Sequence, residues 1–328
     1  MRVIFWGTPS YALPSLEALI KANHEIICVV SQPDKRRSRG GSLTASPVKQ
    51  RAKELGVKVI SSNSIKRDKE NIELLRKLNA DIFVVVAFGQ ILSKEILDIP
   101  PLGCWNCHGS LLPRWRGAGP IQWSLLAGDK HTGVGVMYME EGLDTGPILC
   151  EDKVNIELQD NYYTLSRKLS ILSGDLIVEA LHIIEQEAKT TISSIKNTLT
   201  LKSQETNTSD IIYARQLGKS DRLIKWDDTS FNIHKRIMAL FPNAFTIYKD
   251  KILKIEESIP DYYFTETTLN KDKAYKPGEI VSIDKTKGII ISCKMSFILV
   301  SKGKIEGKQT ANGPRLIQQL GCIVGDSL

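Results

Sequence analysis

The sequence lacks any run of about 18 apolar residues, the length that a membrane-spanning helix needs. It begins without the charged and apolar pattern of a signal peptide and without the Arg- and Ser-rich pattern of a transit peptide. These absences predict a cytoplasmic protein with no membrane partner. The chain has 328 residues, 42% hydrophobic and 25% charged, which is typical of a globular protein and favours two domains over one.

Motifs that would indicate other classes of protein are either incomplete or lack the context that they need. The first strand–helix turn, GTPS at residues 7–10, has one glycine and not G-x-G-x-x-G, which argues against a nucleotide-dependent oxidoreductase. The run CWNCH at residues 104–108 matches the C-x-x-C-H of c-type haem attachment, but that reaction requires export. A zinc site would need further ligands at metal-binding spacing, and no second C-x-x-C or H-x-x-x-H supplies them. We therefore expect no metal.

The order of the predicted elements is that of an α/β fold. An apolar strand at residues 2–6 precedes a predicted helix with Thr8 as N-cap and Pro9 as the first helical residue, and a strand follows at 25–31. The apolar run at residues 81–87 is typical of a central parallel strand. Together they predict a Rossmann-like, doubly wound, mostly parallel sheet.

Composition suggests the domain limits. A long amphipathic helix would end a first domain at residues 1–188, and residues 189–208, rich in Thr, Ser, Asn and Gln, predict a linker. Short strands with turns over residues 209–328 predict a small OB-like β-barrel. Residues 208–328 hold 19 Lys and Arg against 14 Asp and Glu, so this part carries +5 of the net +7. Such an excess suits a polyanionic partner.

The stretch at residues 103–149 has the most suggestive chemistry. Asn106 and His108 lie two residues apart at the end of a predicted strand, so both point to one side, and Asp144 follows in a glycine-rich loop. An amide can donate to an oxyanion, an imidazole can donate or shuttle a proton, and a carboxylate can orient and charge the imidazole. This set suits acyl transfer to an amine. On spacing alone, hydrogen bonds that merely fix the turn are an equally good interpretation.

The motifs around these residues resemble those of the formyltransferases that use 10-formyltetrahydrofolate. N-x-H-x-S-L-L-P at residues 106–113 and G-L-D-T-G at 142–146 are the signature of that family. The run PRWRGAGPIQ at residues 113–122 is similar to one branch of it, the methionyl-tRNA formyltransferases. The resemblance implies a monomer that transfers a formyl group to the α-amine of methionyl-tRNA for translation initiation, with Asn106, His108 and Asp144 as catalytic residues.

The resemblance also implies binding residues. Those expected to bind 10-formyltetrahydrofolate, largely through their backbone, are Phe88, Gly89, Ser110, Leu111, Leu112 and Pro113. The basic loop, residues 32–47 (QPDKRRSRGGSLTASP), is similar to the family's loop that enters the acceptor arm of tRNA. The residues expected to contact initiator methionyl-tRNA there are Lys35, Arg36, Arg37 and Arg39. A solvated charge run is the alternative interpretation of that loop.

Two other functions fit parts of the sequence. A formyltransferase with the same catalytic residues could act on a small amine, such as a sugar nucleotide or a glycinamide ribonucleotide, but the basic loop and basic C-terminal region argue against it. A non-catalytic RNA-binding protein would not need Asn106, His108 and Asp144 intact.

Overall fold

The structure, a computed structural model, describes residues 1–36, 42–188, 198–204, 211–262 and 274–328. Contacts within the chain divide it into two units. The first unit comprises the described residues within 1–120, 131–155 and 166–215, and the second those within 121–130, 156–165 and 216–328. The domain limits 1–188, 189–208 and 209–328 stay a prediction, and two short segments before residue 188 group with the second unit.

A mostly parallel sheet of seven strands forms the centre of the first unit as the structure describes it. The strands of this unit, in chain order, are β1 (Arg2–Gly7), β2 (Glu25–Ser31), β3 (Lys35–Arg36), β4 (Leu43–Thr44), β5 (Val59–Ser61), β6 (Ile82–Val86), β7 (Cys104–His108), β8 (Arg114–Gly117), β9 (His131–Tyr138), β10 (Ile148–Asn155) and β11 (Ile212–Ala214). The sheet order is β10-β9-β7-β6-β1-β2-β5, with β9 and β10 antiparallel at one edge. The prediction of a doubly wound, mostly parallel sheet with β6 at its centre is confirmed.

Helices flank this sheet and follow the apolar periodicity of the sequence. They are α1 (Leu13–Lys21), α2 (Pro47–Glu54), α3 (Lys69–Lys77), α4 (Lys94–Leu97) and α6 (Tyr162–Ala188), of which the first residues group with the second unit. Apart from Pro120, α5 (Pro120–Ala127) also groups with the second unit. The side chains of Ser46 and Asp68 cap α2 and α3, because Ser46 accepts a hydrogen bond from the Lys49 amide and Asp68 accepts one from the Asn71 amide. These caps explain why α2 and α3 begin where they do.

The start of the first helix differs from the prediction. Thr8 is not the N-cap, and the α-helix begins at Leu13 after a 3₁₀ turn at Ser10–Ala12. The Thr8 hydroxyl instead donates to the Phe88 carbonyl oxygen, 2.9 Å away, and accepts from the Gln32 amide at 3.3 Å. A tertiary contact therefore replaces the local cap that the sequence suggested.

The second unit is a small antiparallel β domain with two helices packed on its strands. Its strands are β12 (Phe245–Tyr248), β13 (Lys251–Pro260), β14 (Ile280–Asp284), β15 (Gly288–Ser292), β16 (Phe297–Ile305) and β17 (Ala311–Asn312), and these two helices are α7 (Ser230–Ala239) and α8 (Gly313–Leu320). The sheet order is β12-β13-β16-β15-β14, with β17 on β16. The α/β first unit and the small β domain of the second unit confirm the predicted fold class. Within the described part of the chain, no helix combines the length and apolar character needed to cross a bilayer.

Candidate active site

Strand β7 brings Asn106 and His108 to the same carboxylate. The Asn106 side-chain amide donates to Asp144 Oδ1 at 3.4 Å, and His108 Nδ1 lies 3.6 Å from Asp144 Oδ2. The alternation of side chains along a strand puts both residues on one side, as the spacing predicts. Asp144 comes from the loop between β9 and β10, so the sheet assembles the group from two separate segments. The three side chains that the sequence singled out therefore meet in space.

Both ring nitrogens of His108 face acceptors. Nε2 is 2.9 Å from the Trp115 carbonyl oxygen, which can only accept, so Nε2 carries a proton. Nδ1 lies 3.6 Å from Asp144 Oδ2, which is longer than a hydrogen bond but within reach of an ion pair when both ring nitrogens carry protons. The ring is 5% exposed. Because Nε2–H donates to the Trp115 carbonyl oxygen, only Nδ1, on the side of Asp144, is left to interact with a substrate.

The loop that carries Asp144 is held in an uncommon backbone conformation. Asp144 has φ +52°, a left-handed value that a non-glycine residue rarely adopts. A side chain at Gly146 would collide with the Tyr138 carbonyl oxygen, so glycine is required where the loop returns to the sheet. The Gly117 amide donates to Asp144 Oδ2 at 2.8 Å and fixes the carboxylate from strand β8.

Gln204 and Arg116 belong to the site, although sequence reasoning missed both. The Gln204 side-chain amide donates to the carbonyl oxygens of Asp144, at 3.1 Å, and Gly146, at 2.6 Å. Its oxygen accepts from Nε and Nη2 of Arg116, at 3.0 and 2.8 Å. Gln204 lies inside the segment predicted as a linker, so no local pattern marked it. Arg116 stood inside the PRWRGAGPIQ motif without an assigned role.

The SLLP turn after β7 directs its side chains inward. The Ser110 hydroxyl donates to the Arg114 carbonyl oxygen at 2.6 Å, and Ser110 is fully buried. Leu112 packs with Met137 and Ile148, and the Leu112–Pro113 peptide is cis. The Leu111 side chain lies where a side chain at Gly133 would be. Because these side chains are used in packing, any contact with a ligand falls mainly to the backbone, and the folate role of Ser110, Leu111, Leu112 and Pro113 stays a prediction.

The turn after β6 has the same character. The Phe88 ring is buried edge-on against Trp6, with ring centroids 5.1 Å apart. The Phe88 carbonyl oxygen accepts from Thr8 and from Gln32 Nε2, at 2.9 and 3.3 Å. Gly89 is exposed, with φ +84°. Phe88 and Gly89 thus present backbone rather than an aromatic face, and their assignment to folate stays a prediction.

The described ends of the basic loop are tied together. Lys49 Nζ lies 2.7 Å from Asp34 Oδ1, and the hydroxyls of Ser31 and Ser46 are 2.6 Å apart. Lys35 and Arg36 are exposed in β3, which pairs with β4. Arg37 and Arg39 lie outside the described residues. The tRNA contacts expected of all four residues stay predictions.

The C-x-x-C-H run is used by the fold. The Cys104 thiol donates to the Leu97 carbonyl oxygen at 3.6 Å, and the Cys107 thiol to that of Ser173 at 3.8 Å. Burial raises the pKa of both thiols. The described residues contain no group of three or more His, Cys, Asp and Glu side chains arranged to hold a metal ion.

The arrangement suits acyl transfer more than the alternative of a purely structural turn. Asn106 supplies an amide donor, Asp144 a proton acceptor, and His108 a second donor or a positive charge beside the acid. Asp144 is 14% exposed at its side chain, which leaves it accessible in part. A structural turn would not require three polar side chains from a strand and a separate loop to converge.

Comparison with known proteins agrees with this chemistry. Residues 1–181 match the family model described as "Formyl transferase", and residues 216–321 match "Formyl transferase, C-terminal domain". The methionyl-tRNA formyltransferase of Prochlorococcus marinus (strain MIT 9515) is 46% identical over 331 residues, covering 99% of each chain. That of Synechococcus sp. (strain WH7803) is 45% identical, covering 100% of this chain and 98% of the relative.

A solved structure shares the fold. WlaRD, a sugar 3N-formyl transferase crystallised in the presence of dTDP and 5-N-formyl-THF, superposes with a TM-score of 0.62 over 94% of this chain and 99% of its own. Its sequence is 18% identical, so it supports the fold alone. The family models and the full-length relatives go further: the chain belongs to the formyl transferase family, among the methionyl-tRNA formyltransferases.

Proposed function

We propose that the protein transfers the formyl group of 10-formyltetrahydrofolate to the α-amine of methionyl-tRNA, giving N-formylmethionyl-tRNA for translation initiation. The observation that carries this proposal is the convergence of Asn106, His108 and Asp144 in a chain whose full-length relatives are methionyl-tRNA formyltransferases. The folate is a co-substrate, and the formyl group on its nitrogen is already an activated acyl donor. The chain's residues need only position and stabilise the reacting groups.

The first step forms a tetrahedral intermediate. The neutral amine of the methionyl group attacks the formyl carbon, and the electron pair of the carbonyl moves to its oxygen. Asn106 donates its side-chain N–H to that oxyanion, and one such donor contributes about 2.7–4 kcal/mol in comparable sites. His108 supplies the second donor through Nδ1–H, since Nε2–H is committed to Trp115.

The second step moves one proton and breaks one bond. Asp144 accepts the proton that the attacking amine must lose. The oxyanion collapses, the bond from the formyl carbon to the folate nitrogen breaks, and that nitrogen takes the electron pair together with the proton. The Gly117 amide holds the Asp144 carboxylate in place throughout.

The folate is proposed to lie against the two backbone turns. Gly89, exposed after β6, and the SLLP turn after β7 follow neighbouring parallel strands of the sheet. The carboxyl ends of such strands are where α/β sheets bind ligands. Asn106 and His108 end β7, so a ligand bound there would meet the catalytic group.

A transfer assay tests the function directly. Labelled formyl from 10-formyltetrahydrofolate is offered with methionyl-tRNA, free methionine or a sugar-nucleotide amine. We expect label on methionyl-tRNA alone. Label on the sugar-nucleotide amine instead would keep the reaction and overturn the acceptor, and label on no acceptor would overturn the function.

The tRNA is proposed to contact the basic loop and the basic C-terminal region. Arg39→Ala removes one charge from that loop, and we expect several-fold weaker use of tRNA together with a shallower dependence of kcat/KM on salt, by about one unit of logarithmic slope. Arg67→Ala removes an arginine from an exposed 3₁₀ turn and is the matched control. An unchanged salt dependence in Arg39→Ala would remove the loop from the tRNA interface.

We further propose that the protein acts as a cytoplasmic monomer. Translation initiation supplies the tRNA substrate in that compartment, and the proposed site uses residues of one chain. Light scattering of the purified protein at assay concentration measures the state. A mass of twice 36.6 kDa would contradict the proposal.

A further inference from the structure

The segment between α6 and the second unit is built into the first unit where the structure describes it. Lys202 exchanges two backbone hydrogen bonds with Ile148, at 2.8 and 2.9 Å. After an interval outside the described residues, β11 pairs in parallel with β8. The Ala214 carbonyl oxygen there accepts from the amides of Ala118, at 2.9 Å, and Gly119, at 3.2 Å. Both described parts of the segment therefore flank the loop and strand that hold Asp144.

Both the nitrogen and the oxygen of the Gln204 side-chain amide form hydrogen bonds in this arrangement. Its amide nitrogen has two hydrogens, and they go to the carbonyl oxygens of Asp144 and Gly146. Its oxygen has two lone pairs, and they accept from two nitrogens of Arg116. Gln204 is 5% exposed and Arg116 is 6% exposed. Water therefore does not compete for these four hydrogen bonds.

The Arg116 charge strengthens the hold on the loop. A guanidinium that donates to the amide oxygen polarises the amide, which makes its N–H groups better donors in a site of low dielectric. The loop receiving them has Asp144 in the left-handed region, a conformation that persists only when its surroundings impose it. The neighbours of Arg116 on β8 also act on the site, because the Trp115 carbonyl accepts from His108 and the Gly117 amide donates to Asp144.

We propose that Gln204 is a positioning residue of the formyl transfer. Its amide, polarised by Arg116, holds the backbone of the Asp144 loop and so places the Asp144 carboxylate beside Asn106 and His108. The inference rests on the proposed function for its effect on turnover. It predicts that Gln204 acts on kcat rather than on the binding of either substrate. A misplacement of a reacting group by about 1 Å costs up to about 100-fold in rate.

Two substitutions of Gln204 distinguish the loss of its hydrogen bonds to the Asp144 loop from the effect of an added negative charge. Gln204→Glu keeps an acceptor for Arg116 but has no N–H for the loop. Gln204→Met is neutral, of similar length, and offers neither group. We expect each variant to remain folded and to lower kcat by about 10- to 100-fold, with KM for methionyl-tRNA and for 10-formyltetrahydrofolate within about three-fold of the parent. Gln159→Glu, at an exposed position, is the matched control and should leave both constants unchanged.

The kinetic outcomes either support or overturn the proposal. A loss of kcat in both Gln204 variants with KM retained supports it. A loss in Gln204→Glu alone would mean that the added charge, not the lost N–H groups, causes the effect. Parallel changes in KM and thermal stability without a change in kcat would make Gln204 a structural residue only. Either of these two results overturns the positioning role.

A second readout does not depend on formyl transfer. Nitrogen-15 spectra of the imidazoles, in protein labelled at histidine, report the surroundings of His108 Nδ1, and a His108→Gln sample assigns its signal. We expect Gln204→Met to shift the His108 Nδ1 signal and to leave that of His234 unchanged. An unchanged His108 signal would overturn the positioning role even in an active enzyme. If the parent formylates no acceptor, the proposed function fails while this spectrum still decides the role of Gln204.

Discussion

Two buried histidines, one in each unit, have nearly the same contact at Nε2, called here the first contact. Their contacts at Nδ1, the second contacts, differ. His108 Nε2 donates to the Trp115 carbonyl oxygen at 2.9 Å, and His234 Nε2 donates to that of Leu158 at 2.8 Å. The other nitrogen of His108 faces the Asp144 carboxylate, whereas that of His234 accepts from the Ser258 hydroxyl at 2.9 Å. His108 is 5% exposed and His234 1%.

Under the proposed function, the second contact separates the histidine that is expected to react, His108, from the structural one, His234. A hydroxyl can donate, so the neutral ring of His234 satisfies both its neighbours, and burial lowers the pKa of that ring. A carboxylate only accepts, so the ring of His108 can present an N–H on the side of Asp144 only when both of its nitrogens carry protons. Burial alone does not distinguish the two. Exchanging or removing these second contacts therefore tests the comparison.

The largest effect is expected from His108→Gln. Glutamine can still donate an N–H to the Trp115 carbonyl, but it cannot carry the charge or the second donor of the imidazole. We expect kcat to fall by about 10²- to 10⁴-fold, the range typical of general acid–base groups, with little loss of stability. Steady-state kinetics with methionyl-tRNA, beside urea unfolding, measures both. Near-normal turnover would show that His108 is as structural as His234.

Asp144→Asn is expected to follow closely. The amide keeps an oxygen for the Gly117 N–H but cannot accept the amine proton, and it gives His108 a neutral neighbour, as His234 has. We expect kcat to fall by about 100-fold or more, with the folded structure retained. Asp175→Asn, at an exposed position of α6, is the matched control, for which we expect an unchanged kcat. A fall in kcat of equal size in both variants would remove the special role of Asp144.

The sequence predicted those parts of the site that depend on local pattern. The strand ending at His108, the central strand β6 and the first strand–helix–strand unit followed from apolar runs and alternation. The motif resemblance then selected Asp144. Asn106 and Asp144 are 38 residues apart, and only the shared motif linked them before the structure did.

The contacts that hold the site could not be predicted, because they join positions without a common pattern. Gly117 reaches Asp144 across 27 residues, and Gln204 reaches it across 60. The segment containing Gln204 has no apolar period, so composition predicted a linker. The N-cap assigned to Thr8 was wrong for a related reason, since its hydroxyl donates to the Phe88 carbonyl, 80 residues away. Long-range hydrogen bonds decide both cases.

A moderate effect on stability, not on rate, is expected from His234→Gln. Glutamine keeps a donor for the Leu158 carbonyl but leaves the buried Ser258 hydroxyl without its acceptor. Leaving a buried donor without a partner costs about 1–3 kcal/mol in the free energy of unfolding. Urea unfolding measures that loss, and kcat should stay within about two-fold of the parent. A large fall in kcat with unchanged stability would reverse the roles of the two histidines.

The smallest expected effect is on the pH dependence of stability. His234→Gln should remove the part of that dependence that His234 contributes. Because burial lowers the pKa of His234 in the folded state below its ordinary 6.5, the unfolded chain binds the proton first as pH falls. Its contribution is therefore fully present above about pH 6.5 and declines as pH falls below that value. Burial also lowers the pKa of His24, so the parent and His234→Gln share that part. We expect the stability difference between parent and variant, measured by urea unfolding, to shrink from about pH 7.5 to about pH 5.5. A difference that stays constant over this range would mean that His234 takes up its proton in the folded protein as readily as in the unfolded chain, and burial would then not set the protonation of this ring.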